Sequence, residues 1–131
     1  MTKTNSGEER RRAKRRPILD SFSLFVSVPK KGPHRLKVHD VSDLGLGFDL
    51  DAEGESLTDF LIQNGEMLEV HFYLNQSLYL PLRAEVTRIV TKADVRQVGA
   101  EFVDKASSKA YKAYLAFLVM LDSLAEIGKV E

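Results

Sequence analysis

The stretch LEVHFYLNQSLYLPLRAEV, residues 68–86, decides the fold. Leu68, Val70, Phe72 and Leu74 fill every second position, and beyond the polar break at residues 75–77 the period resumes with Leu78, Leu80, Leu82, Ala84 and Val86. A period of two puts alternate side chains on opposite faces of an extended chain, so the stretch predicts a hairpin of two long strands, each with one apolar face.

The same period recurs on both sides. Upstream, Phe22, Leu24, Val26 and Val28 alternate with Ser21, Ser23 and Ser27, and a turn over residues 29–33, with two prolines and Gly32, leads to Leu36 and Val38 between Arg35 and Lys37. Two glycines within residues 40–50 precede Phe48 and Leu50, which predicts a tight turn into a third strand. Leu57 to Ile62 reads as one helical turn before the Asn64-Gly65 turn signal. A charged turn at residues 92–94 leads to a last strand bearing Val98, Ala100 and Phe102. From Ser107 the spacing becomes three and four, through Tyr111, Tyr114, Leu115, Leu118, Leu121, Leu124 and Ala125, which is a helix. The expected fold is mainly β, a six-stranded antiparallel barrel with a C-terminal α-helix covering its open end.

Composition sets the limits. With 131 residues, 44% of them hydrophobic, the chain suits one domain with a real core. No run reaches the roughly 18 apolar residues that span a bilayer, and the N-terminus is polar and charged, so no membrane insertion is expected. The absence of cysteine removes disulfides and thiolate metal sites and fits a reducing compartment, hence a cytoplasmic expectation. His34, His39 and His71 are scattered without metal-site spacing, and Asp49, Asp51, Glu53 and Glu55 read most simply as a solvated acidic loop. No nucleophile–base pair or metal cluster stands out, so the chain is not read as an enzyme.

Charge is zero in total and unevenly spread. Residues 1–17 hold seven Lys and Arg against two Glu, whereas the remaining residues hold 12 cations and 17 carboxylates. Two clusters have complementary chemistry: Arg10-Arg11-Arg12-Ala13-Lys14-Arg15-Arg16 before the first strand, and Asp40-Val41-Ser42-Asp43-Leu44-Gly45 between the second and third. Arginine forks two phosphate oxygens or the O6/N7 edge of guanine and stacks on purines; aspartate accepts from the opposite guanine edge. Ser42 lies two residues from Asp40 and adds a hydroxyl on the same side of an extended backbone, and Gly45 lets the chain turn without a side chain in a ligand's way. The clusters together suit a guanine nucleotide carrying phosphate.

These residues resemble the PilZ domain family, which is marked by RxxxR before its first strand and D/NxSxxG after its second. Arg11 and Arg15 fit the first element, followed by Arg16, Pro17 and Ile18; Arg12 and Arg16 satisfy the same spacing. Asp40, Ser42 and Gly45 fit the second, and Gly99-Ala100-Glu101-Phe102 resembles the family's final strand. The resemblance implies a PilZ-type barrel that binds cyclic di-GMP, with Arg11 and Arg15 on phosphates and guanine faces and Asp40 and Ser42 on a guanine edge. It further implies, from Arg10 (or Arg11 in the shifted register) just before RxxxR, that the ligand binds as an intercalated dimer. On this reading residues 1–8 are a disordered tail and 9–131 the PilZ domain, with 9–17 the ligand-binding segment, 18–104 the barrel and 105–128 the helix.

The expected role is a receptor or adaptor whose arginine segment orders on cyclic di-GMP and signals to a downstream protein, of motility, pilus or exopolysaccharide machinery among others. The second reading is a nucleic-acid-binding protein, ligand-gated or not, that uses the basic segment. Residues 114–121, apolar on nearly every side of the helix, suggest that Phe117, Val119 and Met120 contribute to a homodimer or partner interface.

Overall fold

A computed structural model describes residues 23–52 and 56–127. Six strands, β1 (Phe25–Ser27), β2 (Leu36–Val41), β3 (Gly45–Leu50), β4 (Met67–Tyr73), β5 (Tyr79–Lys92) and β6 (Val95–Phe102), close into a barrel in the order β1-β2-β3-β6-β5-β4, every neighbouring pair antiparallel. One α-helix, α1 (Lys109–Ile127), follows β6 after a short 3-10 turn. The expected six-stranded antiparallel barrel with a C-terminal helix is the observed fold.

The inward residues are those the alternation predicts: Leu68, Val70 and Phe72 on β4, Leu82, Ala84 and Val86 on β5, and Val98, Ala100 and Phe102 on β6 are all buried. Among the described residues, closure gives each of the six strands a partner on both sides, although the short β1 pairs only part of β2 and β4. The β5–β6 turn is made by Ala93 and Asp94, both at positive φ (49° and 67°), as a two-residue antiparallel turn requires.

Tyr114, Leu118 and Leu121 bury one stripe of α1 in the same core, with the Tyr114 ring edge-on to Phe72 and Phe102. The helix starts at Ser108, whose Oγ accepts from Tyr111 N at 3.0 Å. Phe117, expected on the exposed side, instead turns inward and meets Phe72 edge-on at 5.7 Å, because its position follows Tyr114 by three residues on the same stripe. Val119 and Met120 stay outside, 65% and 45% exposed. No helix among the described residues is long and apolar enough to cross a membrane.

Three expectations need correction. Phe22 and Ser21 lie outside the described residues, and the first strand is short, because Ser23 at φ 50° leaves the extended region. Leu57 to Ile62 forms a turn closed by Phe60 N to Leu57 O (2.9 Å), not a helical turn. Arg96 pins this loop: it donates to Asp51 at 2.6 and 3.0 Å, to Leu57 O at 2.8 Å and to Phe60 O at 2.9 Å. Asp51, which also accepts from Leu57 N at 2.7 Å, is therefore a structural anchor, and Asp49 lies within β3; neither is part of a solvated loop.

Candidate functional site

The turn between β2 and β3 is built by Ser42. Its Oγ lies 3.3 Å from Leu44 N and Gly45 N, which donate to it, and 3.3 Å from Gly45 O; its own N–H donates to Gly45 O at 2.9 Å. The residue is only 7% exposed. A hydroxyl expected to face a ligand is thus engaged in shaping the loop that presents Asp40. Gly45 has a different reason from the one expected: its φ is not positive, and a Cβ there would stand 2.1 Å from Ala100 O. The residue is glycine so that β3 can approach the β6 backbone.

Helix α1 holds the same turn from behind. Tyr114, fully buried, donates through its hydroxyl to Ser42 O at 2.9 Å, with Gly45 O at 3.3 Å, and Tyr111 donates to Asp43 O at 2.7 Å. Burial, with the Asp43 carboxylate adding to it, pushes the Tyr111 phenol above its ordinary pKa and keeps it protonated as a donor. Neither tyrosine's link to the turn could be read from sequence, since 68 or more residues separate the partners.

Asp40 reaches the outer wall through a bulge. The β2–β3 register passes from Val38↔Phe48 to Asp40↔Gly47, one residue too many on β2, so Asp40 leaves the inward phase of Leu36 and Val38 and Val41 takes its place. Beside it the His39 ring covers Gly47, where a Cβ would come within 2.6 Å of Nε2, and His39 Nδ1 stands 2.7 Å from Asp49 Oδ1. That contact is an ion pair whenever the imidazole is protonated.

Around Asp40 lies a cleft of about 590 Å³ on the outer wall of β2, β3, β6 and β5. Asp40, Ser42 and Gly45 all line it, as do Arg88, Lys92 and Glu101. The structure thus brings together one of the two predicted clusters. Arg10, Arg11, Arg12, Arg15 and Arg16 lie outside the described residues. His39 and Arg88, absent from the expected site, join it through the strand register, with Asp49 as the partner of His39.

A closed six-stranded barrel with one packed helix and a charged cleft on its outer wall is the architecture of a small β-barrel module. Residues 9–118 match the PilZ domain family, and the chain belongs to it. Among solved structures it resembles YcgR in complex with c-di-GMP from Escherichia coli, with TM-score 0.57 and 17% identity over 79% of this chain and 42% of that one. It also resembles apo MrkH of K. pneumonia (TM-score 0.62, 13% identity, 82% and 50% covered) and the PilZ domain of E. coli YcgR with c-di-GMP (TM-score 0.53, 15% identity, 82% and 87% covered). At these identities the likeness is one of fold. The chain spans half or less of the longer YcgR and MrkH chains. No curated protein matches the chain in sequence.

Proposed function

We propose that the chain is a cyclic di-GMP receptor. The observation that carries this is the bulge at Asp40, which takes a carboxylate out of core phase and sets it in an open cleft, next to a turn locked by Ser42, Tyr111 and Tyr114. A carboxylate accepts from the ring N–H and exocyclic amine of guanine, and two of the solved relatives are complexes with c-di-GMP. Arg11 and Arg15, or Arg12 and Arg16 in the shifted register, supply the phosphate and base contacts. Repulsion among the cations of residues 10–16 is relieved by the ligand's two phosphates, so binding orders the segment toward Asp40, and a downstream partner reads the changed surface. Arg10 favours two stacked ligands per chain.

Calorimetric titration with cyclic di-GMP, GMP and cyclic di-AMP tests the reading. Selective binding of cyclic di-GMP, weakened in Arg11→Ala, Arg15→Ala and Asp40→Ala by about 1.5–3 kcal/mol each, is the expected outcome. Near-wild-type affinity in all three removes the site, and a titration ending at one ligand per chain removes the stacked pair. A nucleic-acid reading rests on the basic segment alone. Asp40 and Glu101 put two carboxylates on the cleft lining, and a carboxylate beside backbone phosphates repels them. Steep salt dependence together with indifference to Asp40→Ala would favour that reading instead.

A further inference from the structure

One row of the sheet crosses the cleft from edge to edge. Asp40 on β2 is in register with Gly47 on β3, Gly47 with Gly99 on β6, and Gly99 with Arg88 on β5. With strands about 4.8 Å apart, the two ends are separated by roughly 14 Å at Cα. The barrel has a bulge at both ends of this row, between Val38 and Asp40 and between Val86 and Arg88. Strict alternation would put Arg88 in the core beside Leu82, Ala84 and Val86; the bulge turns it outward into the same cleft as Asp40. Two separate irregularities thus place opposite charges at opposite ends of one row.

Arg88 differs from the other described arginines. Arg35 lies over the Phe25 and Tyr73 rings, Arg83 pairs with Asp104, and Arg96 anchors Asp51 and two carbonyls. Arg88 is exposed, and its side chain makes no hydrogen bond or ion pair among the described residues. The glycine next to it is equally unexplained by the fold. Gly45 and Gly47 lack a side chain because one would strike Ala100 O or the His39 ring, at 2.1 and 2.6 Å. Gly99 has no positive φ, and a Cβ on it would meet only Arg88 Cβ, at an ordinary 3.6 Å. A glycine inside a strand weakens it, and where the chain itself needs none, the open floor serves an approaching ligand.

We propose that Arg88 is a base-reading residue of this site, forking the O6/N7 edge of the guanine whose opposite edge meets Asp40, with Gly99 as the bare floor under the base. The assignment rests on the cyclic di-GMP reading above and adds a contact from the barrel wall. The guanidinium fork matches two acceptors on that edge of guanine, whereas adenine presents one acceptor and one donor there. The row therefore grips a guanine from both edges and rejects adenine at each.

The test is a cycle of two ligands against two proteins, cyclic di-GMP and its analogue with carbon in place of guanine N7, titrated into wild type and Arg88→Ala. Wild type should bind cyclic di-GMP about tenfold more tightly than Arg88→Ala does. It should lose about fivefold on the N7 analogue, while Arg88→Ala loses much less. Gly99→Ala provides an independent arm, and Gly99→Val a larger one: the added Cβ meets only Arg88 Cβ, at an ordinary 3.6 Å, and each is a better strand former than glycine, so both should melt no lower than wild type and yet bind poorly. Equal N7 losses in wild type and Arg88→Ala, or full affinity in Gly99→Val, overturn the assignment while leaving cyclic di-GMP binding intact. A wild type that does not bind cyclic di-GMP overturns the underlying reading and this one with it.

Discussion

Tyr114→Phe isolates one hydroxyl at the junction between the helix and the β2–β3 turn. The ring stays, so its packing against Phe72 and Phe102 is preserved and no cavity opens. What is lost is the 2.9 Å bond to Ser42 O, in a fully buried setting. Gly45 O keeps Ser42 N at 2.9 Å, but Ser42 O has no other donor among the described residues. Leaving a buried carbonyl without its donor costs about 1–3 kcal/mol, and removal of the phenol's own desolvation offsets part of it, giving a net loss of about 1–2 kcal/mol. For a domain of this size that is a drop of about 4–8 °C in Tm, and in urea a lower midpoint at unchanged slope. Tyr111→Phe is the control, because its bond to Asp43 O lies at the surface and water replaces it, so its loss should stay under about 1 kcal/mol. If Tyr114→Phe unfolds within 0.3 kcal/mol (roughly, the scatter of such measurements) of wild type, the hydroxyl does not hold the turn and the proposed link between helix and site is wrong.

Other outcomes follow from the same contacts. Gly45→Ala should be destabilised by several kcal/mol or fail to fold, since its Cβ would overlap Ala100 O, and recovery of a wild-type melting temperature would show that β3 and β6 can separate cheaply. Hydrogen bonding to Arg96 lowers the Asp51 pKa, so the pair adds stability that is present above about pH 4 and is lost as pH falls through the depressed value. Asp51→Asn should therefore flatten the acid limb of a stability–pH curve, and an identical limb in both proteins would count against the anchor. Burial raises the Tyr111 pKa, so its contribution is present below about pH 10 and disappears as pH rises through the higher folded value. An alkaline transition in wild type that is weaker in Tyr111→Phe, followed by tyrosinate absorbance, checks the sign.

Much of the barrel was legible because alternation and burial coincide wherever the ladder is regular: β4, β6 and the first half of β5 face as read. The helix stripe was equally clear, except that Phe117 lies inward. What failed to show were contacts between distant residues. Arg96 reaches the carbonyls of Leu57 and Phe60 across more than 35 residues and pins a loop where a helical turn was expected. The Asp40 element was visible as chemistry, whereas the clamp on its turn comes from tyrosines 68 and more residues away.

The two charges of the proposed row, Asp40 and Arg88, were hidden by the rule that made the fold readable. Extended past Val38, the β2 alternation assigns Asp40 to the core; extended past Val86, the β5 alternation assigns Arg88 to it as well. Either charge alone in a barrel core would cost several kcal/mol, far more than local bulging of a ladder, so the physics forces a break in register at each position. Both breaks occur where the charge appears, Val38/Asp40 and Val86/Arg88, and after each the apolar phase resumes one residue later, at Val41 and Ile89. A charged residue standing in the apolar phase of an otherwise regular strand is thus itself a sequence signal. It marks the points where the ladder gives way and a side chain is delivered to the outer wall, and here the two marks lie in one row across the cleft.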